Sequence, residues 1–224
     1  NATKEGETGR YWYERSGETI LRAVGGDHVA AEKISQLIGI FSSTTPVGNN
    51  LQFALQAFYQ HKAGMPIHSG KFPTSMSKRA EDVLNGIPWE GRKTNTFYNN
   101  LMKVIDPERH QGVTVDVWMM RAFGYTTKKR DGGVGEADAP TPAQYEFVEN
   151  KVLEITKNLN KNLGPDDAPW EPQQVQAAIW VATKAKRPAK GHPEGIGIEA
   201  AKFDYADALA DTLAQISWET IPGR

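Results

Sequence analysis

Apolar residues recur every three or four positions along most of the chain, which is the spacing that places side chains on one face of an α-helix. The clearest example follows Asp27, a residue type favoured at helix N-caps. In that segment the face consists of Ala30, Ile34, Leu37, Ile38 and Phe41. The same spacing, with capping and breaking residues at the ends, predicts helices over 18–24, 28–41, 47–62, 75–84, 92–104, 117–123, 143–163, 171–184 and 199–218. We therefore expect an all-α fold of about eight helices.

The segments between these helices are polar or rich in proline and glycine. Residues 1–10 are polar and expected to fray, and residues 11–14 are aromatic and expected to pack as an anchor. We expect an N-terminal anchor over 1–26 and a single helical domain over 27–224. Two basic loops are expected to be flexible, 126–142 with Lys128, Lys129 and Arg130, and 184–197 with Lys184, Lys186, Arg187 and Lys190. A short strand is a candidate at 113–117.

The amino-acid composition excludes several classes of catalytic and metal site. The 224 residues include 39% hydrophobic and 24% charged residues, which is typical of a soluble globular protein with a core. The absence of cysteine excludes disulfides, thiolate catalysis and iron–sulfur clusters, and none of the five histidines is spaced as a metal-binding pair. We expect no cofactor and no metal. A net charge of −1 means that any nucleic-acid contact must come from clustered basic residues.

The same sequence predicts where the protein is found. No apolar run is long enough to span a membrane, and no signal peptide is visible. We expect an intracellular protein, cytoplasmic or virion-associated, with no membrane partner. The chain begins with Asn1 rather than methionine, which indicates processing or origin in a longer protein.

One stretch, residues 83–124, carries the best chemical signal: VLNGIPWEGRKTNTFYNNLMKVIDPERHQGVTVDVWMMRAFG. The segment Gly-Ile-Pro-Trp-Glu-Gly cannot be regular helix, because proline lacks the backbone donor and glycine adopts angles that other residues resist. A helix carrying Lys93 follows this turn, and Asp116 lies at the mouth of the next helix. The stretch thus predicts a helix, a tight turn, a second helix, a loop and an aspartate in an apolar setting.

This stretch resembles the helix-hairpin-helix DNA glycosylases. Residues 91–94, Gly-Arg-Lys-Thr, are similar to the end of the family's hairpin and its catalytic lysine. Val115, Asp116 and Arg121 are similar to the catalytic aspartate motif, and residues 38–45 resemble a turn that lies against DNA. The sequence departs from the family in having Trp89, Glu90 and Trp118 at motif positions. The last hundred residues resemble segments of polyvalent proteins of phages and mobile elements.

The resemblance implies base excision from DNA. Loss of a base leaves positive charge on the sugar, which the carboxylate of Asp116 would stabilise. Lys93 would attack the anomeric carbon and form a Schiff base. The implied DNA contacts are Thr44, Gly86, Trp89, Gly91, Arg92, Thr94, Lys128, Lys129 and Arg130. The implied pocket for a flipped base is lined by Phe97, Tyr98 and Trp118.

Other interpretations stay open. Asp116 can serve only as a helix cap, Lys93 can be a solvated lysine, the aromatic residues can be core, and the basic loops can be solvated. One alternative function is a catalytically inactive glycosylase-like module that binds DNA or has a structural role in a phage or mobile-element protein. Another is a different all-α enzyme in which Asp116 works with His110.

Overall fold

The structure, a computed structural model, describes residues 2–43, 45–109, 112–128, 134–136, 138–188 and 190–209. These residues are predominantly helical, which confirms the all-α class. The α-helices are α1 (Ala2–Glu5), α2 (Trp12–Ala23), α3 (His28–Phe41), α4 (Val47–Lys62), α5 (Pro73–Leu84), α6 (Arg92–Met102), α7 (Val117–Ala122), α8 (Pro142–Asn160), α9 (Pro172–Ala185) and α10 (Gly197–Ala201). A 3-10 helix spans Glu7–Gly9, two strands are β1 (Thr126–Lys128) and β2 (Val134–Glu136), and residues 205–209 are also helical.

Helices with a strong apolar period and a capping residue begin where the sequence predicts. The carboxylate of Asp27 accepts hydrogen bonds from the N–H groups of Val29 and Ala30 and so starts α3. At the start of α8, the Thr141 hydroxyl accepts from the Gln144 N–H, and the Gln144 side chain accepts from the Thr141 N–H. This reciprocal capping box supplies partners for two of the N–H groups left without intrahelical partners at a helix start.

The two ends of the chain differ from the prediction. Within the segment 1–10 that is expected to fray, Ala2–Glu5 form α1 and Glu7–Gly9 form the 3-10 helix, and α2 begins at Trp12 rather than near residue 18. Burial explains the earlier start of α2, because Trp12 and Tyr13 in its first turn are only 7% and 3% exposed. The helix predicted over 199–218 is interrupted after α10, where Asp204 caps a new helical segment at 205–209. Residues 210–218 of that prediction lie outside the described residues.

The two basic loops also differ from the prediction. The segment predicted as a flexible loop over 126–142 contains an antiparallel pair of strands, with Thr126 opposite Glu136 and Lys128 opposite Val134. The threonines and valine of these strands are residue types that favour β-strands. A search for apolar residues at helical spacing does not detect this preference. Lys184, placed in the second loop, belongs to the last turn of α9. No strand forms at 113–117, where residues 113–116 are irregular and Val117 begins α7.

The chain divides into two compact units. Unit 1 comprises Asn1–Tyr13 and Gln111–Lys202, and unit 2 comprises Glu14–His110 and Phe203–Arg224. This division does not follow the boundary expected near residue 26, and the predicted organisation into an anchor and one domain stays a prediction.

Unit 2 is built around α3, which packs against α4, α5 and α6. Its side chains Ile34, Leu37 and Phe41 are fully buried. Gly39 permits α6 to approach closely, because a Cβ atom at this position would lie 2.9 Å from the Cγ2 atom of Thr94 and 3.0 Å from its carbonyl oxygen. The close contact of α3 and α6 fixes the part of α6 that follows the predicted turn.

Unit 1 is built around α9, which packs against α1, α7, α8 and α10. The Tyr145 hydroxyl of α8 donates a hydrogen bond to the Val113 carbonyl oxygen and accepts one from the Val115 N–H, so two backbone groups of the irregular segment before α7 are hydrogen-bonded. Gly6 lies against α9, and a Cβ atom there would collide with the carbonyl oxygen of Ala178. Glycine is therefore the residue that lets the N-terminal helices dock.

Candidate nucleic-acid interface

The turn between α5 and α6 has the backbone geometry that its glycines predict. Gly86 has a φ of +88°, in the left-handed region that favours glycine. The N–H of Gly86 donates to the Val83 carbonyl, and the N–H of Ile87 donates to the Asp82 carbonyl. This pair of bonds is the Schellman pattern that ends a helix. The chain then passes through Pro88 and starts α6 at Arg92.

A groove in unit 2 lies beside this turn. Its volume is about 370 Å³. It combines two aromatic rings, three carboxamides and one guanidinium with smaller groups. Its lining consists of Gln36, Val83, Pro88, Trp89, Thr94, Asn95, Tyr98, Asn99 and Arg109. The lining can therefore contact a flat ring on its face and donate and accept hydrogen bonds at its edge.

Trp89 is held at the groove by its neighbours. A Cβ atom on Gly91 would lie 2.5 Å from the Trp89 Nε1 atom, so a side chain at position 91 would force the indole to shift. The Arg79 guanidinium lies 4.4 Å from the centroid of the Trp89 ring, within the range of a cation–π contact. Trp89 remains partly exposed. The second glycine of the predicted turn, Gly91, therefore makes room for an aromatic side chain and does not adopt an unusual backbone angle.

Tyr98 is fixed by a network of charged groups. Its hydroxyl donates a hydrogen bond to the Glu32 carboxylate and accepts one from Arg109. Arg109 also donates to Glu32 Oε1 at 3.0 Å and to Asp106 Oδ2 at 3.3 Å. Burial, with the bond to Glu32, raises the pKa of Tyr98 to about 12. The hydrogen bond from Tyr98, with that from Arg109, lowers the pKa of Glu32.

This network predicts that Tyr98 loses its proton at a higher pH than an ordinary tyrosine. Because the pKa of Tyr98 is raised from 10.0 to about 12, its contribution to stability is complete below pH 10 and is lost as the pH rises through about 12. The phenolate absorbance of the wild type is compared with that of Tyr98→Phe over a pH titration. The difference between the two curves is expected to follow the titration of a single phenol near pH 12. A difference curve centred near pH 10 would show that the hydroxyl is not held in this network.

The first turn of α6 carries two cations. Gly91 is its N-cap and offers no side-chain cap, and no acidic residue lies in the first turn. Arg92 and Lys93 occupy the first two helical positions, where the helix dipole disfavours positive charge. The Lys93 Nζ atom donates to the Ser42 Oγ atom at 2.8 Å, and that hydroxyl donates to the Gly39 carbonyl. Lys93 is thus tied to the end of α3.

Asp116, in unit 1, is a helix cap with one further partner. Its Oδ1 atom accepts from the N–H groups of Trp118 at 2.9 Å and Met119 at 3.0 Å and so begins α7. Its Oδ2 atom accepts from the indole N–H of Trp180 at 3.0 Å. The Lys184 ammonium lies 4.5 Å from the centroid of the Trp180 ring. Burial lowers the pKa of Lys184, and the Asp116 charge opposes that shift. Asp116 therefore caps α7, and its catalytic role stays a prediction.

Comparison with known proteins gives one match. A family model described as a family of unknown function, DUF7178, matches residues 1–187. The chain belongs to this family. No curated protein and no solved structure matches it. Every residue of the groove and of the Asp116 site lies within the DUF7178 match, so both are features of the region by which membership is recognised.

The structure of this DUF7178 protein brings some of the predicted site residues together. Trp89, Thr94 and Tyr98 line one groove, Gly86 and Gly91 shape the turn beside it, and Phe97 is not among the described lining residues. Lys93 belongs to unit 2, whereas Asp116 and Trp118 belong to unit 1, so their joint action stays a prediction. Lys128 ends β1, and the predicted residues outside the described part are Thr44, Lys129, Arg130 and His110.

Four polar residues of the groove were not predicted as site residues. Asn95 and Asn99 are four positions apart on α6, and this spacing places them on one helix face. That pattern could have indicated a polar face beside Trp89. Gln36 and Arg109 reach the groove from α3 and from the segment after α6, and no local signal marks them.

Two further properties concern membranes and metals. Within the described ranges, no helix combines the length and the apolar character that crossing a bilayer requires. The described His, Asp and Glu side chains include no group of three placed to hold a metal ion.

Proposed function

We propose that this protein binds DNA and takes one unstacked base into the groove of unit 2. The observation that carries the proposal is the composition of the groove, where Trp89 and Tyr98 lie with three carboxamides. Its volume of about 370 Å³ is at the lower end of the ~300–1,000 Å³ typical of small-ligand pockets. A single base with its sugar is a ligand of this class.

The chemistry of a nucleobase fits both parts of the lining. Every base has a flat π-face that stacks on aromatic rings, and such stacking contributes about 1–3 kcal/mol per base. Every base also has an edge of donors and acceptors. The carboxamides of Gln36, Asn95 and Asn99 each offer a donor and an acceptor, so they can pair with such an edge. Arg109 offers further donors at the same groove.

The start of α6 fits the phosphate that accompanies the base. Arg92 and Lys93 lie in its first turn, and Thr94 and Asn95, which follow directly, line the groove. One turn of an α-helix rises only about 5.4 Å, so a base in the groove would have its backbone near this helix start. Backbone N–H groups at a helix N-terminus, together with basic side chains, favour a phosphate.

The proposal is tested by comparing oligothymidylate with an abasic oligomer of equal length, which keeps the phosphates but lacks the bases. The wild type is expected to bind the base-bearing strand at least about 5-fold more tightly, the equivalent of ~1 kcal/mol of stacking. Trp89→Leu is expected to remove most of that preference and to leave binding of the abasic strand unchanged. Fluorescence anisotropy at fixed salt measures both affinities.

The matched control is Phe72→Leu, which removes an exposed aromatic ring of unit 2 that does not line the groove. It should preserve the preference for bases. Equal affinity of the wild type for the two strands, or an unchanged preference in Trp89→Leu, contradicts the proposal.

Base excision is the second candidate function. It is favoured by Asp116, which remains partly exposed although its carboxylate caps α7. In this proposal the partly buried Lys93 supplies the amine and Asp116 supplies the carboxylate. The lining of the groove is explained equally well by binding of a base without excision. Release of a base therefore decides between the two candidate functions.

A further inference from the structure

The three carboxamides of the groove make no hydrogen bond to any described part of the chain. Gln36 lies on α3, Asn95 and Asn99 lie on α6, and all three residues are half-buried. The buried Asn50 of the same unit differs, because its amide donates to two groups of the fold. The groove carboxamides thus keep their donors and acceptors for a ligand or for water.

Arg109 is a fixed donor at the same groove. Among the described residues, its side chain donates to the Tyr98 hydroxyl and to the carboxylates of Glu32 and Asp106. These bonds use three of the five N–H groups of a guanidinium and leave two. Because the group is already held by three partners, binding a ligand to the remaining N–H groups costs little further side-chain entropy.

The ion pairs of Arg109 favour an uncharged acceptor over a phosphate. The Arg109 guanidinium lies 3.0 Å from a carboxylate oxygen of Glu32 and 3.3 Å from one of Asp106. One guanidinium with two carboxylates carries net negative charge, which repels an anion. The remaining N–H groups therefore suit a ring nitrogen or a carbonyl oxygen of a base.

The DNA bases differ in which of their acceptors lie side by side. Guanine presents O6 and N7 on one edge, where arginine can donate two hydrogen bonds, and N–H donors on the next edge. Those donors match the oxygens of carboxamides. Adenine and thymine alternate donors and acceptors along each edge, and cytosine has its adjacent acceptors and its donor on a single edge. Guanine thus offers an edge to Arg109 and a second edge to the carboxamides.

We propose that the base taken into the groove is guanine, and that Arg109 selects it by donating to O6 and N7. This inference rests on the proposed function, because it specifies the base that the same groove binds. Stacking on Trp89 and Tyr98 accepts any base, whereas Arg109 adds a requirement for two adjacent acceptors. Selection of guanine can therefore fail while binding of bases stands.

The test uses abasic strands that carry one central base, so that a single base is available to the groove. The bases compared are guanine, 7-deazaguanine, adenine, cytosine and thymine. 7-Deazaguanine keeps the rings and the Watson–Crick edge of guanine but has a C–H group in place of N7. The wild type is expected to bind the guanine strand at least about 5-fold more tightly than each of the others, the equivalent of ~1 kcal/mol for an arginine–guanine pair. Fluorescence anisotropy at fixed salt measures each affinity.

A variant connects the preference to Arg109. Arg109→Leu is expected to bind the guanine and 7-deazaguanine strands equally, since leucine has no N–H group to donate. Arg22→Leu is the matched control, because Arg22 is an exposed arginine of unit 2 that is not among the described lining residues. It should keep the preference for guanine, and the urea midpoint of each variant confirms that it is folded.

The comparison of guanine with 7-deazaguanine in the wild type needs no variant. Equal affinity for these two strands, or tighter binding of the cytosine strand, overturns the selection of guanine. A preference for guanine over 7-deazaguanine that persists in Arg109→Leu also overturns it. If thymine still improves on the fully abasic strand in any of these cases, the groove proposal stands alone. If no single base improves on the abasic strand, both proposals fail.

Discussion

Replacing Asp116 by alanine is expected to lower the free energy of unfolding by about 2–4 kcal/mol. Loss of an N-cap costs about 0.5–2 kcal/mol, because the N–H groups of Trp118 and Met119 lose their acceptor. The indole N–H of Trp180 also loses its acceptor, and leaving such a donor unpaired away from water costs about 1–3 kcal/mol. Urea denaturation followed by circular dichroism measures the change.

Thr141→Ala is the control for this effect, because Thr141 caps α8 in the same unit but accepts only from the Gln144 N–H. Its expected cost is about 1 kcal/mol. The cost of Asp116→Asn in free energy of unfolding should fall between those of Thr141→Ala and Asp116→Ala. Its amide oxygen can still cap α7, but its NH₂ group cannot accept a hydrogen bond from Trp180. If Asp116→Ala costs no more than Thr141→Ala, the bond to Trp180 does not stabilise the fold.

The base-excision proposal predicts the largest effect on function. The wild type is expected to release a base from at least one member of a panel of modified-base DNA strands. Asp116→Asn is expected to slow release at least ~100-fold, because the charge that stabilises the sugar is lost. Lys93→Gln is expected to give no borohydride-trapped adduct, although glutamine can still bond to Ser42. Alkali treatment and gel electrophoresis measure strand cleavage at the released base.

Two controls separate chemistry from folding and binding. Affinity for the same DNA should change little in Asp116→Asn, and the assay is run at a temperature where the variant is folded. Lys78→Gln removes an exposed lysine of unit 2 and should retain adduct formation. If the wild type releases no base from any strand, base excision is ruled out for that panel and the groove is left with binding alone.

The sequence predicts those parts of the fold whose signals are local. The apolar period and the Asp27 cap define α3, and the glycines at 86 and 91 define the turn before α6. Asp116 is predicted as a cap because it directly precedes an apolar helix. Each of these features depends on residues within one or two turns of chain.

Features that depend on distant residues are not predicted. Residues 1–10 look polar, yet Ala2–Glu5 and Glu7–Gly9 form helices, and the exclusion of a side chain at Gly6 by the Ala178 carbonyl shows how closely this segment packs on α9. The helix predicted to run through 202–204 is broken where Asp204 provides a new cap. These outcomes follow from tertiary contacts that outweigh local propensity.

The candidate site shows the same limit. Trp89 and Tyr98 are predicted because they belong to the central motif, whereas Gln36 and Arg109 come from other parts of the chain. Trp118 is predicted as a base contact, but the cation Arg187 that lies near its ring follows α9, far along the chain. Aromatic motifs can thus be found from sequence, while the polar groups that give them a chemical role depend on the fold.

Photo-crosslinking can show whether a DNA base occupies the groove of unit 2. An oligomer in which thymine is replaced by 5-bromouracil is irradiated with the wild-type protein, and the linked peptide is identified by mass spectrometry. We expect attachment to Trp89 or Tyr98, the two aromatic side chains of the groove. Attachment only to residues outside the groove would contradict it.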